Sequence, residues 1–392
     1  MNPAADASRM QHALTKRLPL WLLAAALLGG SAPSFAQHAA EEIALSPAAE
    51  AYIRARTAFE QEAETYWQSI ADKRRVRFAK RRSGEAIALD DYVLTQPPVY
   101  TGPARPPGYV PPRRDPERPP VPVPTIPEFL AAAKEQYNFV PDRPKTEQEF
   151  KQAYAKAAAA ASLTREQAVR IYAFETGGNG DYDTQAGQTS NKNAKPISPA
   201  IGYNQLLATN SVSLLANHGD RFLTRLSSSA AALVAADRKA MDRKIAALQK
   251  MIAFSRSVPN AWSEHDKLAK FTDGGKGIHA LVLDRDIGPM LQTQKLLDSV
   301  VFAKAKGLAR PLTAAELEMM NFTGDGNGFD MVTMPQSFRD RVPTSNFFQR
   351  GGYERNPIAR RTGTLAALFA SIESKMDRAS QLPGAKALAE AF

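Results

Sequence analysis

The chain has 392 residues, a net charge of +10 and no cysteine. Without cysteine, neither disulfides nor thiolate metal sites can form, so the fold must be stabilised by its hydrophobic core. The positive charge favours anionic partners such as acidic polymers or lipid surfaces, with solubility alone as the alternative.

The N-terminus has the pattern of a secretory signal. Three basic residues precede an apolar run at 18–28 that is too short to span a bilayer comfortably, and small residues lead up to Ala36. We therefore expect a signal peptide over residues 1–36, with export to the periplasm; an uncleaved membrane anchor is the alternative. No later segment approaches roughly eighteen consecutive apolar residues. An exported protein of this charge meets wall polymers and lipid headgroups, so nucleic acid is not an expected partner.

Residues 37–96 are predicted to form an N-terminal helical region. Apolar residues at helical spacing indicate one helix over 48–82. The end of that helix, residues 73–82, carries seven basic residues in ten. Cations suit the negative end of a helix dipole, which is one explanation. The other is a peripheral contact with an anionic membrane or wall polymer.

Residues 97–127 hold thirteen of the 28 prolines. Such a density forbids a helix and favours a polyproline II conformation, which makes a stiff linker. The segment is predicted to be either an extended spacer or a strap over the globular part. On the strap interpretation, Tyr100 and Tyr109 would be its anchors.

Residues 128–392 are rich in alanine and helical in pattern. Helices are predicted after the capping residue Thr146 and over 163–176, 221–256, 284–306, 313–321 and 359–379. The chain is therefore predicted to be mostly α, with a helical domain preceded by an N-terminal helix and a Pro-rich linker.

Three non-helical segments are also expected in this region. A short β-hairpin is predicted within residues 178–198. Residues 323–330 look like a calcium loop but fail the EF-hand rule, because Phe329 holds a ligand position, so a tight turn is predicted there. Residues 347–357 are predicted to be a surface loop.

Several enzyme classes lack their motifs in this sequence. No histidines have metal-ligand spacing, and there is no His-Glu-x-x-His. There is also no Gly-x-Ser-x-Gly elbow and no Walker-type phosphate loop. Metal hydrolases, serine hydrolases and nucleotide enzymes are therefore disfavoured, and we expect neither a metal nor a cofactor.

Glu175 is the principal candidate for chemistry. The helix over 163–176 begins with a capping box of Thr164 and Gln167 and ends at Gly177. Glu175 shares the face that this helix buries, and it stands where the helix stops. A carboxyl at the mouth of an apolar site keeps its proton to higher pH, as a general acid requires. The alternative is a solvated glutamate on a fraying helix end.

Three segments of the chain carry motifs that resemble those of the lysozyme-like lytic transglycosylases. Glu175-Thr176 matches the family's Glu-Ser pair, and Gly202-Tyr203-Asn204-Gln205 matches its Gly-Leu-Met-Gln segment. Residues 319–324 approximate its Ala-Tyr-Asn-Ala-Gly motif through Asn321 and a displaced glycine, with Met320 in place of tyrosine. The resemblance covers residues 163–379.

The resemblance implies a lysozyme-like helical domain that cleaves the MurNAc–GlcNAc bonds of peptidoglycan strands and leaves 1,6-anhydro-muramoyl ends. Glu175 would be acid and then base, and Thr176 would orient it. Gln205 and Asn321 would bind substrate, and Tyr203 would line the sugar groove unless it packs in the core.

Beyond the resemblance, Tyr353 follows two glycines and is a candidate to present an aromatic ring to the cleft. Three other functions stay open. One is a hydrolytic muramidase on the same fold, for which Asp181 or Asp183 would be the second carboxylate. Another is a cell-wall-binding or assembly protein without turnover, which the altered third motif favours. The third is a basic scaffold at a lipid surface, led by residues 48–82.

Overall fold

Helices make up the regular structure of this protein in a computed structural model that describes residues 46–111, 122–188, 191 and 193–392. The mostly α prediction is confirmed for these residues. The predicted signal peptide and the middle of the proline-rich segment lie outside them. Within the described ranges, no helix has both the length and the apolar character that a membrane crossing needs.

The α-helices of the described residues are α1 (Pro47–Ser83), α2 (Ile126–Tyr137), α3 (Glu147–Ala160), α4 (Arg165–Thr176), α5 (Ala208–Ala231), α6 (Ala235–Ser255), α7 (Trp262–Phe271), α8 (Asp273–His279), α9 (Gly288–Ala305), α10 (Ala314–Thr323), α11 (Asp325–Thr333), α12 (Gln336–Arg339), α13 (Arg350–Arg355), α14 (Pro357–Thr362), α15 (Leu365–Ser380) and α16 (Pro383–Glu390). Short 3₁₀ helices occur at Leu89–Asp91, Ala280–Leu283 and Thr344–Phe347. Residues 48–392 form one compact unit.

Helix α1 is joined to the rest of that unit by a buried ion pair. The Arg77 side chain has no exposed surface, and its Nε donates to Asp330 at 3.0 Å. Tyr92 donates to the other oxygen of Asp330, also at 3.0 Å, and Arg77 Nη2 donates to the Asn346 carbonyl at 3.0 Å. Because a buried charge without its partner is costly, these bonds fix α1 against α11 and the segment around residue 346.

The basic run at 73–82 therefore points largely into the protein. Six of its seven basic side chains bind groups of the same chain. Arg74 binds the carbonyls of 346 and 348, Arg77 and Arg81 the carboxyl of Asp330, Lys80 the carboxyl of Asp91, Lys73 the carbonyl of Asp90, and Arg75 the carboxyl of Asp72. Sequence could not distinguish the inward contacts of Arg74, Arg77 and Arg81 from a solvated basic face, because their acceptors lie far along the chain.

The described part of the proline-rich segment lies along α1. The Tyr100 ring is 6.2 Å from that of Tyr52 and 5.5 Å from that of Phe59. Tyr109 packs edge-on against Tyr52 at 5.7 Å. Residues 97–111 therefore have the contacts of a strap. The segment ends where α2 begins, with the Thr125 backbone N–H donating to Glu128 at 2.7 Å.

Helix α4 has neighbours on several sides, since it packs against α3, α10, α15 and α16. Its predicted capping box is confirmed: Gln167 N donates to Thr164 Oγ1 at 3.1 Å, and Thr164 N donates to Gln167 Oε1 at 2.9 Å. Gly177 and Gly178 end it with φ of +68° and +83°. A Cβ at Gly178 would lie 2.2 Å from the Ala379 carbonyl oxygen, so glycine is required for this approach to α15.

Three of the non-helical predictions are wrong. The described residues of 178–198 contain no strand, because the antiparallel pairing there stops at one isolated bridge, Gln185 with Ile201, and does not extend into a ladder. Residues 325–333 continue as α11 after a single left-handed residue, Gly324. The predicted surface loop at 347–357 instead contains α13, and its aromatic side chains are buried.

Candidate active site

Glu175 lies in the last turn of α4, and its side chain is half-buried. Asn321 in the last turn of α10 directs its amide at it, with Nδ2 3.4 Å from Oε1. Burial raises the pKa of Glu175 to about 7, against the lowering effects of Glu318 and Lys375. A carboxyl with this pKa can donate a proton near neutral pH and take one back.

Glu318 is a second carboxyl beside the first. It lies one turn before Asn321 on α10 and has no exposed surface. Its carboxyl faces Glu175 and Asn321, and both groups affect its pKa. Burial, and then the negative charge of Glu175, raise the pKa of Glu318 well above the ordinary value. Since two neighbouring carboxyls cannot both ionise cheaply, Glu318 keeps its proton to higher pH than an ordinary glutamate.

Lys375 of α15 supplies the positive charge of the site. Its Nζ lies 3.9 Å from the centroid of the Phe174 ring. Burial lowers its pKa, while attraction to Glu175 and Glu318 opposes that lowering. The site is therefore a pair of carboxyls with one amide and one amine around it, built from three helices that are distant in sequence.

The Gly202-Tyr203-Asn204-Gln205 segment forms a buried turn. Tyr203 has no exposed surface, and its hydroxyl donates to Glu147. Asn204 Nδ2 donates to the Gln292 carbonyl at 3.1 Å. Gln205, with φ of +44°, turns its Nε2 back to the Gly202 carbonyl at 2.9 Å. These contacts are internal, so the structure does not bring Tyr203 or Gln205 to Glu175.

Two further predicted site residues are also engaged elsewhere. Thr176 Oγ1 donates to the Tyr172 carbonyl at 2.7 Å, one turn back on its own helix. Tyr353 is buried, with its ring 5.4 Å from that of Trp67. Of the six predicted site residues, the structure brings together Glu175 and Asn321.

The two aspartates considered as a second carboxylate lie in the loop after α4. Asp183 forms an ion pair with Arg143. Asp181 lies near Glu147, whose pKa it helps to raise after the larger effect of burial. Neither is among the groups that shift the pKa of Glu175. The second carboxyl of the site is Glu318 instead.

Sequence reasoning missed Glu318 and Lys375. A signal for Glu318 was present, because an acidic residue three positions before Asn321 on the same helix shares its face. No such signal existed for Lys375, which reaches the site only through the packing of α15 against α4.

No family model, curated protein or solved structure matches this chain. Its function is therefore inferred from the residues of the site and from the motifs that carry them.

Proposed function

We propose that this protein is an exported peptidoglycan lytic transglycosylase in which Glu175 is the acid and the base. The observation that carries the proposal is the desolvated Glu175 carboxyl, with a pKa of about 7, held beside the amide of Asn321. The same two residues belong to the first and third transglycosylase-like motifs, which are 146 positions apart in sequence. Their contact supports the functional interpretation of both motifs.

The reaction needs one proton donor that becomes a proton acceptor. Protonated Glu175 gives its proton to the glycosidic oxygen, and the bond between that oxygen and the muramoyl C1 breaks. The resulting Glu175 carboxylate then removes the proton of the muramoyl 6-hydroxyl, whose oxygen bonds to C1. Glu175 is protonated again, no water is consumed, and the product ends in a 1,6-anhydro ring.

The neighbours of Glu175 fit this cycle. Asn321 fixes one carboxyl oxygen through its amide, so the proton faces a constant direction. Lys375 provides positive charge that stabilises the carboxylate formed after the first proton transfer. Glu318 is neutral while it keeps its proton, and it therefore adds no second negative charge while Glu175 is ionised.

A hydrolytic muramidase fits the site less well. Inverting glycosidases place a second carboxylate roughly 6.5–9.5 Å from the acid, on the far side of the sugar, to activate water. Retaining enzymes place it at about 5–5.5 Å as a nucleophile. Glu318 has no exposed surface, so its carboxyl is closed to water and to a sugar bound at the protein surface. The site therefore offers one working carboxyl, as the transglycosylase cycle requires.

Digestion of purified wall sacculi tests the proposal. The mature chain should release muropeptides with anhydro ends, and Glu175→Gln should release none, because the amide has no proton to give. Glu373→Gln, an exposed glutamate on α15, is the matched control and should keep full activity. Equal release by the chain and by Glu175→Gln would show that Glu175 is not the acid. Binding of sacculi without any release would favour a wall-binding protein.

A further inference from the structure

A cavity of about 450 Å³ lies between α1, the proline-rich segment and helices α13 and α14. Four aromatic side chains line it: Phe59 and Trp67 from α1, Tyr100 from the proline-rich segment and Tyr353 from α13. None of the residues of the carboxyl pair lines it. We call this cavity the α1 pocket.

The aromatic lining is well ordered by contacts among its own rings. Trp67 lies 5.4 Å from Tyr353, and Phe59 packs edge-on against Tyr100 at 5.5 Å. Pro97 and Pro98 complete that wall, and their fixed φ angles keep it rigid. The indole N–H of Trp67 donates to none of the residues in the described ranges, so it is free to bond a ligand. A rigid lining loses little entropy when a ligand binds.

Three arginines line the α1 pocket: Arg56, Arg360 and Arg361. The Arg56 guanidinium lies 4.8 Å from the Phe59 ring and 5.1 Å from the Tyr100 ring, and it is paired with Glu60 at 2.5 Å. Arg360 and Arg361 are exposed at the other side. Neither forms an ion pair with any residue in the part of the chain that the structure describes. The acidic lining residue, Glu354, accepts a bond of 2.7 Å from Arg350, which also pairs with Glu60. Arg360 and Arg361 are therefore the cations of the pocket that remain for an anionic ligand.

We propose that the α1 pocket binds a peptide that carries free carboxylates. Guanidinium groups bind carboxylates through paired hydrogen bonds, and aromatic rings beside them contact the aliphatic parts of a short peptide. The Trp67 indole adds a donor for a peptide carbonyl. On the proposed function, on which this identification rests, the peptide is the stem attached to the muramoyl residue of the same polymer.

The α1 pocket is linked to the candidate active site by packed rings. Phe322, next to Asn321 in sequence, has its ring 5.6 Å from that of Phe348. Phe348 is 6.3 Å from Tyr353, which in turn contacts Trp67. The pocket and the end of α10 therefore belong to one packed region of the chain.

Fluorescence of Trp67 tests the proposal. The chain has three tryptophans, of which Trp21 lies in the predicted leader and Trp262 is 52 % exposed outside the pocket. Mature Trp262→Phe protein therefore reports on Trp67 alone. The probes are N-acetyl-Ala-γ-D-Glu-Lys-D-Ala with free carboxylates, the same peptide with both carboxylates amidated, and chitotetraose. We expect a saturable change with the free acid and at least tenfold weaker binding of the amide.

Substitutions of arginines inside and outside the α1 pocket test where the peptide binds. Arg360→Gln and Arg361→Gln should each weaken binding of the free acid at least fivefold, because each removes a carboxylate partner. Arg341→Gln, another exposed arginine outside the pocket, should leave it unchanged. Equal binding of the acid and the amide, or a stronger change with chitotetraose, would overturn the proposal. So would equal losses in Arg341→Gln and the two pocket variants.

These binding measurements use no glycan cleavage, so they separate the two proposals. A chain that discriminates the peptides but releases no glycan products overturns the transglycosylase proposal alone. A chain that releases anhydro products but binds the acid and amide equally overturns the peptide site alone.

Discussion

Replacing Glu175 with glutamine should stabilise the folded chain above pH 7 while it abolishes glycan release. The pKa of Glu175 is raised from 4.5 to about 7, chiefly by burial. Below pH 4.5 the carboxyl is protonated in both the folded and the unfolded chain, and stability is unaffected by its titration. Between the two values the unfolded chain loses the proton first, so the stability of the folded state falls as pH rises.

The size of the effect follows from the shift. Each pKa unit corresponds to about 1.36 kcal/mol, so the folded chain loses up to ~3 kcal/mol of unfolding free energy between about pH 4.5 and pH 7. Glutamine has nearly the same shape and does not titrate. The difference in unfolding free energy between Glu175→Gln and the native chain should therefore grow in the variant's favour by up to ~3 kcal/mol from pH 4 to pH 8.

Urea unfolding of both proteins at pH 4, 6 and 8 measures this difference. The same measurements on Glu373→Gln, an exposed glutamate of α15, control for replacing a surface carboxyl with an amide. If the Glu175→Gln difference is independent of pH, Glu175 is not desolvated in the folded state. The case for a general acid at this position would then be lost.

Three other substitutions have expected outcomes. Lys375→Met removes a charge that lowers the pKa of Glu175. The alkaline limb of the kcat/KM profile should therefore move to higher pH, while the maximum rate falls. An unmoved limb would show that Lys375 does not act on the Glu175 carboxyl. Asp330→Asn leaves two arginines without their buried carboxylate and should cost about 3–5 kcal/mol in urea unfolding; a loss below about 1 kcal/mol would show that α1 is held by other contacts. In Gly178→Ala the new methyl group would clash with the Ala379 carbonyl, so the free energy of unfolding should fall clearly more than in Gly307→Ala. Gly307 also has a positive φ but has open space around it, and its replacement should cost about 1–2 kcal/mol of unfolding free energy. Equal losses in the two variants would refute the close approach of Gly178 to α15.

Local sequence signals predicted the elements that local interactions form. The capping box of Thr164 and Gln167 and the glycine after α4 are both found in the structure, because each involves residues within one helical turn. The long helix α1 was also predicted nearly to its ends, from 48–82 against Pro47–Ser83. Apolar spacing sustained over nine or more turns leaves little room for another conformation.

The wrong predictions involve contacts between distant residues. Residues 347–357 look polar and glycine-rich, yet Trp67 of α1 packs against Tyr353 and buries it. The Asp325–Thr333 segment has the composition of a turn, but it forms α11, whose Asp330 accepts bonds from Arg77. Tertiary partners of this kind override local propensity, and a single sequence does not reveal them.

Some residues of the candidate site could be predicted from sequence motifs, and others depend on contacts between distant residues. Glu175 and Asn321 were predicted from their motifs, and the structure brings them into contact. Tyr203 belongs to a matching motif but is fully buried, because three tyrosine and phenylalanine rings from α3 and α4 surround it. Glu318 is buried because α10 packs against α4, α9 and α15, and this burial raises the pKa of its carboxyl. The burial could not be inferred from the sequence before that packing was known.

Digestion of sacculi in ¹⁸O-labelled water tests the central claim most directly, because in the proposed reaction the 6-hydroxyl, and not water, attacks C1. Mass spectrometry should find anhydro-muramoyl ends without label from the mature chain and no products from Glu175→Gln. Labelled reducing ends, or the same products from Glu175→Gln, would contradict the proposed one-carboxyl transglycosylase.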